Sequence, residues 1–490
     1  MPLRRAALAA ATALTALLAG APTAAADRVA VRQIDRDLLA AAFTGDGAVV
    51  ALRSGDIGAV VQRRVAGRRP QILLRDGEAG QVRLAASPQA VAVSVWAGDE
   101  EDRSGSRVLV GPPGGPLREV ARCAAALFAP PVAVEGTRLS WSEGSCLSPE
   151  GRPQDLEPGA IALADVDPAV PVRRVAVPEE RLPVSLTLGG EPAAAGFLRP
   201  SLLAFFGGEL RRIAGDTLGP AVAGGAGVLL APVGVAPGGE AIAVRSRNDF
   251  PLEPEGDSVR CELDLVAVGD AGARHLPAGG CLSDSIDDGN DDGLGSADAV
   301  AVVTGGRIAV RVRPRRVRGE DGVRFRAEDE NLDERTPATV QALGTDGRGR
   351  RALARGGAFR PPLGLVGGSG RLGWAQQRCI GGTQIREVDP LAMGATARIR
   401  PCDARLLTRR ARLRRGAVRL RLRCPRGCKG RVVDTSVCSG ERSATFRFGR
   451  GVHTVRLPLT RRSRRLGHAV LRVRVEAGRD RGRTIRVRRR

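Results

Sequence analysis

From Asp27 to about Cys402 the chain sets short apolar runs between clusters of Gly, Pro and Asp, and no stretch of it carries a convincing helical period. Apolar runs of this length bounded by turn residues predict β-strands. The runs come in pairs joined by tight, Gly-rich turns. Residues 39–42 pass through Gly45-Asp46-Gly47 into 48–52, and 132–134 pass through Glu135-Gly136 into 138–141. Residues 300–303 pass through Gly305-Gly306 into 307–312, and 363–366 pass through Gly367-Gly368-Ser369-Gly370 into 371–374. A looser third strand and a short basic fourth follow in most units, which begin near residues 38, 82, 131, 184, 228, 298 and 362.

Two units echo each other in detail. Arg138-Leu139-Ser140-Trp141 with Cys146 recurs as Arg371-Leu372-Gly373-Trp374 with Cys379, and both copies run into a strand ending Val-Asp-Pro, at 166–168 and 388–390. Four-stranded units of 40 to 70 residues, repeated about seven times, predict a β-propeller. In plan this resembles the TolB-like and WD-repeat propellers, although no Gly-His or Trp-Asp signature is present in residues 27–402. Residues 28–33 are expected to pair into the last blade and close the ring.

With strands alternating in direction, the second-to-third and fourth-to-first connections emerge on one rim. The insertions at 97–105, 143–158, 246–260 and 313–338 fall in the first class and 278–297 in the second, so the reading gathers them on one looped face. Cysteines sit beside the same face, in neighbouring pairs: Cys123 with Cys146, Cys261 with Cys281, Cys379 with Cys402. Residues 1–26 read as a secretory signal peptide, with Arg4 and Arg5 before an apolar run and small residues at Ala24 and Ala26. An exported chain is the setting in which nine cysteines form bridges with one sulfur left over.

Charge divides the chain. Residues 395–490 hold 31 basic against 5 acidic side chains, whereas the remainder holds 45 against 48. The expected domains are therefore the signal at 1–26, the propeller at 27–402 and a basic unit at 403–490. In the basic unit Val418-Arg419-Leu420-Arg421-Leu422-Arg423-Cys424 alternates strictly, which turns apolar side chains one way and arginines the other. The expected fold there is a small β-sandwich of immunoglobulin-like plan, bridged among Cys424, Cys428 and Cys438, with Cys424 to Cys438 the pairing adopted.

The sharpest motif is Asp288-Gly289-Asn290-Asp291-Asp292-Gly293. It fits the opening of a calcium loop, with Asp288, Asn290 and Asp292 as oxygen ligands, a carbonyl from Leu294, a water-linked contact from Ser296, and Asp298 one residue early for the closing acid. The twelfth position is Ala299 rather than Glu, so an acidic solvated turn is the competing reading. Trp96, Trp141 and Trp374 each end a second strand, a repeated position that implies packing between blades, with a sugar platform as the alternative.

Enzyme chemistry finds little support. There is no Tyr, the three histidines are scattered, and no nucleophile elbow, zinc-protease helix or phosphate loop occurs. The arginine clusters Arg461, Arg462, Arg464, Arg465 and Arg488, Arg489, Arg490 suit an anionic wall polymer or membrane surface, and without interleaved aromatics no specific nucleic-acid recognition is expected. The function expected is that of a secreted or cell-surface binding or scaffolding protein, its loop face meeting a protein or glycan partner. The rival is a calcium-assisted hydrolase or lyase with carboxylates at the central channel.

Overall fold

In this computed structural model residues 28–488 are described, apart from 98–104, 144–158, 200–206, 248–262, 283–299, 327–337, 357–363, 435–441, 460–467 and shorter stretches within connections. The chain is all-β, and its larger part is a β-propeller. The first sheet holds β2 (Leu38–Phe43), β3 (Gly47–Arg53), β4 (Ala59–Val65) and β5 (Gln71–Asp76); the second holds β6 (Ala79–Ala86), β7 (Val91–Ala97), β8 (Ser106–Gly111) and β9 (Arg118–Cys123). The third holds β10 (Val132–Glu135), β11 (Arg138–Ser142), β12 (Ala160–Asp165) and β13 (Arg173–Ala176). The fourth holds β14 (Leu182–Thr187), β15 (Ala193–Arg199), β16 (Gly207–Ala214) and β17 (Thr217–Ala226); the fifth holds β18 (Val228–Val235), β19 (Ala241–Arg247), β20 (Leu263–Gly269) and β21 (Gly272–His275).

The sixth sheet is built differently. Its first strand comes in two collinear pieces, β22 (Cys281–Leu282) and β23 (Ala301–Thr304), both paired to β24 (Arg307–Arg313). A small hairpin, β25 (Arg316–Arg318) with β26 (Arg324–Arg326), precedes β27 (Ala338–Gly344) and β28 (Arg351–Gly356). The seventh sheet holds β29 (Gly364–Gly368), β30 (Arg371–Gln377) and β31 (Thr383–Val388), and its fourth place is taken by β1 (Arg28–Ile34), which pairs antiparallel to β31 with Arg28 opposite Glu387. The chain then adds β32 (Ala397–Ile399) in parallel to the outer edge of β28, so that edge is covered.

Side-chain packing shows why the sheets close into a ring. Strand β3 is buried along almost its whole length because alternate residues serve two different interfaces. Val49 and Ala51 pack against the second sheet, while Ala48, Val50 and Leu52 pack against the seventh. Each apolar cluster of the propeller lies between neighbouring sheets in turn, and the first strands touch in the cyclic order β2, β6, β10, β14, β18, β23, β29 and back to β2. Near the axis the spacing is tight enough to require missing side chains. A Cβ on Gly367 of β29 would stand 2.3 Å from Val302 Cγ1, and one on Gly234 of β18 would stand 2.3 Å from Val303 Cβ.

After the ring come β33 (Arg405–Leu406), β34 (Arg410–Arg414), β35 (Ala417–Cys424), β36 (Cys428–Asp434), β37 (Arg442–Phe448), β38 (Gly451–Pro458), β39 (His468–Glu476) and β40 (Arg481–Arg488). The path runs β33-β35-β34-β40-β39-β36-β37, with β38 also on β35, and all eight strands feed one apolar cluster. Strand β35 follows the alternation of its sequence: Val418, Leu420 and Leu422 are buried, and Arg419, Arg421 and Arg423 are exposed.

The cysteines require one correction. Cys379 is bonded to Cys402, with Cα atoms 5.0 Å apart, and Cys123 and Cys281 are each disulfide-bonded. Cys146, Cys261 and Cys438 lie outside the described residues. The expected Cys424 to Cys438 bridge is replaced by Cys424 to Cys428, whose Cα atoms are 5.4 Å apart. The cause is local: Gly427 at φ 83° lets Pro425-Arg426-Gly427 turn β35 directly into β36, which brings the two cysteines together.

Candidate functional site

The strand boundaries assign the long excursions to one class of connection. Residues 98–105, 143–159, 200–206, 248–262 and 314–337 each join a second strand to a third, whereas first and second strands are joined by tight turns such as Thr44-Gly45-Asp46 and Gly136-Thr137. Because strands alternate in direction, the long connections leave from a common rim and the tight turns occupy the other. The excursion expected at 278–297 is placed differently from the sequence reading. Leu282 pairs with Val312 and Ala301 with Val310, so residues 283–300 interrupt the innermost strand of the sixth sheet beside Arg311, which is 2% exposed. Asp288, Asn290, Asp292, Leu294, Ser296 and Asp298 fall in this interruption, outside the described residues. Among the described residues no cluster of His, Cys, Asp or Glu is placed to hold a metal ion.

At the looped rim a cleft of about 280 Å³ opens between the second and third sheets. Its wall includes Ser106 at the start of β8, Arg107, Arg122 and Cys123 at the end of β9, and Ser142 and Glu143 at the end of β11. The charges are already paired. Arg107 meets Asp76 at 2.6 Å, Arg122 holds Glu119 through two bonds of 2.7 and 2.8 Å, and Arg174 meets Glu143 at 2.7 Å. Arg122 thereby keeps the Glu119 carboxyl below its ordinary range, and the bond to Glu143 raises the Arg174 guanidinium. Ser106 Oγ is buried and makes no hydrogen bond. A cleft this small, below the roughly 300–1,000 Å³ of sites that engulf a ligand, suits a small polar group more than an extended substrate.

The tryptophans resolve by burial. Trp141 and Trp374 are 1% and 0% exposed, each packed in a cluster shared by two sheets, and each donates its Nε1 to the side chain two residues on, Glu143 at 3.2 Å and Gln376 at 3.4 Å. Neither has a face free for a sugar. Trp96 is half-buried and donates to the Ala126 carbonyl at 2.8 Å.

Carboxylates are scarce along the innermost strands. Among β2, β6, β10, β14, β18, β22, β23 and β29, Glu135 is the one acidic residue, at the end of β10 and 3.6 Å from Arg138. Most of the rest are Ala, Gly, Val and Leu, and the small Ala, Gly and Val side chains among them permit the close approach described above.

In the C-terminal unit Arg461, Arg462, Arg464, Arg465, Arg489 and Arg490 lie outside the described residues, and of Arg488 only the backbone is described, paired across β40 to His468. The arginines that the structure does bring together are others. Arg405, Arg419, Arg421, Arg423 and Arg456 share the exposed side of β33, β35 and β38. The period-two run of residues 418–424 is the sequence signal for three of them. Arg405 and Arg456 needed the strand register to be found. Across the sheets the connection is direct, since a Cβ on Gly427 would come 2.4 Å from Ile380 Cγ2 in the β30–β31 loop of the seventh sheet. No helix among the described residues is long and apolar enough to cross a membrane.

The sequence matches no protein-family model and no curated protein. Among solved structures the chain is similar to the β-propeller domain of the trilobed protease from Pyrococcus furiosus, at 9% identity and a TM-score of 0.43, over 73% of this chain and 96% of that one. It is similar to an acylaminoacyl peptidase of Pyrococcus horikoshii, at 9% identity and a TM-score of 0.44, over 79% of this chain and 58% of that one. A third likeness is to an α-L-arabinanase of Penicillium chrysogenum, at 10% identity and a TM-score of 0.34, over 60% of this chain and 94% of that one.

Proposed function

We propose that the protein is an exported binding or scaffolding module, in which the looped rim of a TolB-like ring receives a protein or glycan and an immunoglobulin-like basic unit holds the molecule to the anionic cell surface. The observation that carries this reading is the asymmetry of the ring, with every long second-to-third connection on one rim and tight turns on the other. Loops on a rigid scaffold are where binding residues concentrate. The bonded cysteines at that rim, Cys123 and Cys379, support export, since such bridges persist in oxidising compartments. A two-carboxylate glycoside hydrolase needs a pair of acids flanking the scissile bond, and among the described residues of the innermost strands Glu135, paired with Arg138, is the one acid.

The test is retention of the purified chain, cleaved after residue 26, on the surface of producing cells. Replacing 144–158 and 248–262 by short Gly-Ser links is expected to lower retention several-fold, and equivalent changes in the Gly136-Thr137 and 236–240 turns to leave it unchanged. Equal retention by all variants removes the looped rim from the proposal. Calcium belongs to it only if the ion raises the melting midpoint of the intact chain and Asp288→Asn with Asp292→Asn abolishes the rise.

A further inference from the structure

We infer that the exposed side of β33, β35 and β38 is a binding site for a linear phosphodiester polymer, of the polyol phosphate kind, with Arg405, Arg419, Arg421, Arg423 and Arg456 as its phosphate contacts. This rests on the reading that the basic unit contacts an anionic surface, and it names both the residues and the chemistry. Register puts like charges directly opposite each other: Arg419 faces Arg456, and Arg423 faces Arg405. Such cross-strand pairs destabilise a sheet in isolation. No carboxylate among the described residues pairs with any of the five, and Arg456 is satisfied instead by the Arg415 carbonyl at 3.3 Å. In the propeller, by contrast, Arg107, Arg122, Arg174, Arg245 and Arg371 are each held by Asp or Glu. Arg419, Arg421 and Arg423 stand in a straight row at intervals of roughly 7 Å, two residues of strand each. Guanidinium forks bind phosphate oxygens bidentately.

The geometry also selects among anions. The remaining exposed side chains of β38 on this side are Val452, Thr454 and Pro458, so bases would find no ring to stack on. The nearby rings turn inward: Phe448 and His453 stack on each other at 4.5 Å. A bilayer would want an apolar wedge beside the charges, and the two exposed apolar side chains here, Val452 and Leu407, stand on opposite sides of the arginine row and do not form one. A single anionic chain lying along the row matches what is present.

The experiment measures binding of the whole mature chain to poly(glycerol phosphate) as salt is raised. Five contacts to a flexible chain give a log–log slope of roughly −3.5, so a fourfold rise in salt weakens the wild type by roughly 100-fold. R419Q/R421Q/R423Q leaves two contacts and is expected to weaken only roughly sevenfold over the same range. Its melting midpoint should be unchanged or higher, because exposed like charges have been removed. R68Q/R69Q/R118Q, which removes the same charge from exposed positions of the propeller, should behave as the wild type. A triple strand variant with the wild-type slope overturns the assignment to this face while leaving surface association intact. If the wild type binds neither the polymer nor cells, the underlying reading fails with it. Tighter binding to phosphatidylglycerol vesicles or to single-stranded DNA than to the polymer overturns the polymer as ligand class.

Discussion

Arg371 and Glu387 face each other across two hydrogen bonds, Nε to Oε1 at 2.7 Å and Nη2 to Oε2 at 2.8 Å, with both side chains mostly buried. The pair joins β30 to β31, and the third nitrogen of Arg371 extends it across the ring. Nη1 donates to the Thr44 and Gly47 carbonyls at 2.7 and 2.9 Å, and the guanidinium lies 4.6 Å from the centre of the Phe43 ring. Ser369 Oγ adds a bond to the Phe43 carbonyl. One arginine thus ties the last sheet to the turn of the first. Arg371→Leu should remove two bonds from the buried Glu387 carboxylate, which keeps a further partner, and cost about 3 kcal/mol, the lower end of the range for breaking one side of a buried pair. Denaturant unfolding of the single and double Leu variants would check this. A double variant as costly as the sum of the singles would show that the pair does not act as a unit.

Ring closure has a second component in β1. Without residues 28–34 the outer edge of β31 would lose its ladder from Thr383 to Glu387 and lie open. An open edge is a template for another chain. Deleting the strand is expected to raise the association state seen on gel filtration above that of the intact chain, with a broadened melting transition. An unchanged elution volume and midpoint would show that the remaining interfaces suffice.

Much of this arrangement was legible in the sequence, because turn chemistry and apolar runs are local signals. Gly45-Asp46-Gly47 and Gly367-Gly368-Ser369-Gly370 mark first turns whose strands pair as read, and the Trp141 and Trp374 echo marks corresponding strands in two sheets. What escaped depended on partners distant in sequence. Cys281-Leu282 is too short to show a period, so the interruption of an innermost strand looked like an ordinary connection. Strand β32 is three residues long and is defined by its neighbour β28 alone. The Cys424 to Cys428 link was open because spacing admits several pairings and only the turn at Gly427 decides between them. The cleft near Ser106 is assembled by the ends of three strands, and no single stretch announces it.

The Cys379 to Cys402 bridge spans 23 residues and fastens the segment leaving the ring to the loop after β30. In the chain-entropy picture a loop of this size contributes roughly 3 kcal/mol. Replacing both cysteines with serine should lower stability by that order. It should also loosen the contact of Gly427 with Ile380, which lies next to Cys379. Limited proteolysis between residues 402 and 405 is the readout, and cleavage at the wild-type rate would show that the bridge does not hold this junction.

Acid sensitivity follows from Asp46. Its carboxylate accepts a 2.6 Å bond from Arg63 Nη2 and a longer one from Thr44 Oγ1, and the Arg63 bond is the main reason its pKa sits below the ordinary value. A depressed carboxylate contributes stability that is present above its unfolded value of about 3.9 and is lost as pH falls through the folded value. The melting midpoint of Asp46→Asn should therefore lie below that of the wild type at neutral pH and converge on it in acid below about pH 4. The gap should be modest, since Asp46 is 53% exposed and its ion pair is screened. Convergence in the opposite direction, towards high pH, would contradict the assignment.

Gly367 tests how closely the first strands approach. It sits on β29 with the methyl of Val302 from β23 where a side chain would begin, and its φ is not in the left-handed region, so conformational freedom is not what demands glycine. Gly367→Ala should accordingly act through overpacking, at roughly 1–3 kcal/mol. The paired change Val302→Ala would open the space, so the double variant should recover part of the loss even though Val302→Ala alone removes buried methyls. Thermal melting of the three variants separates the cases. Additive losses would mean that the strain at Gly367 comes from somewhere other than the β23 contact, and the account of the Ala- and Gly-rich innermost strands would lose its basis.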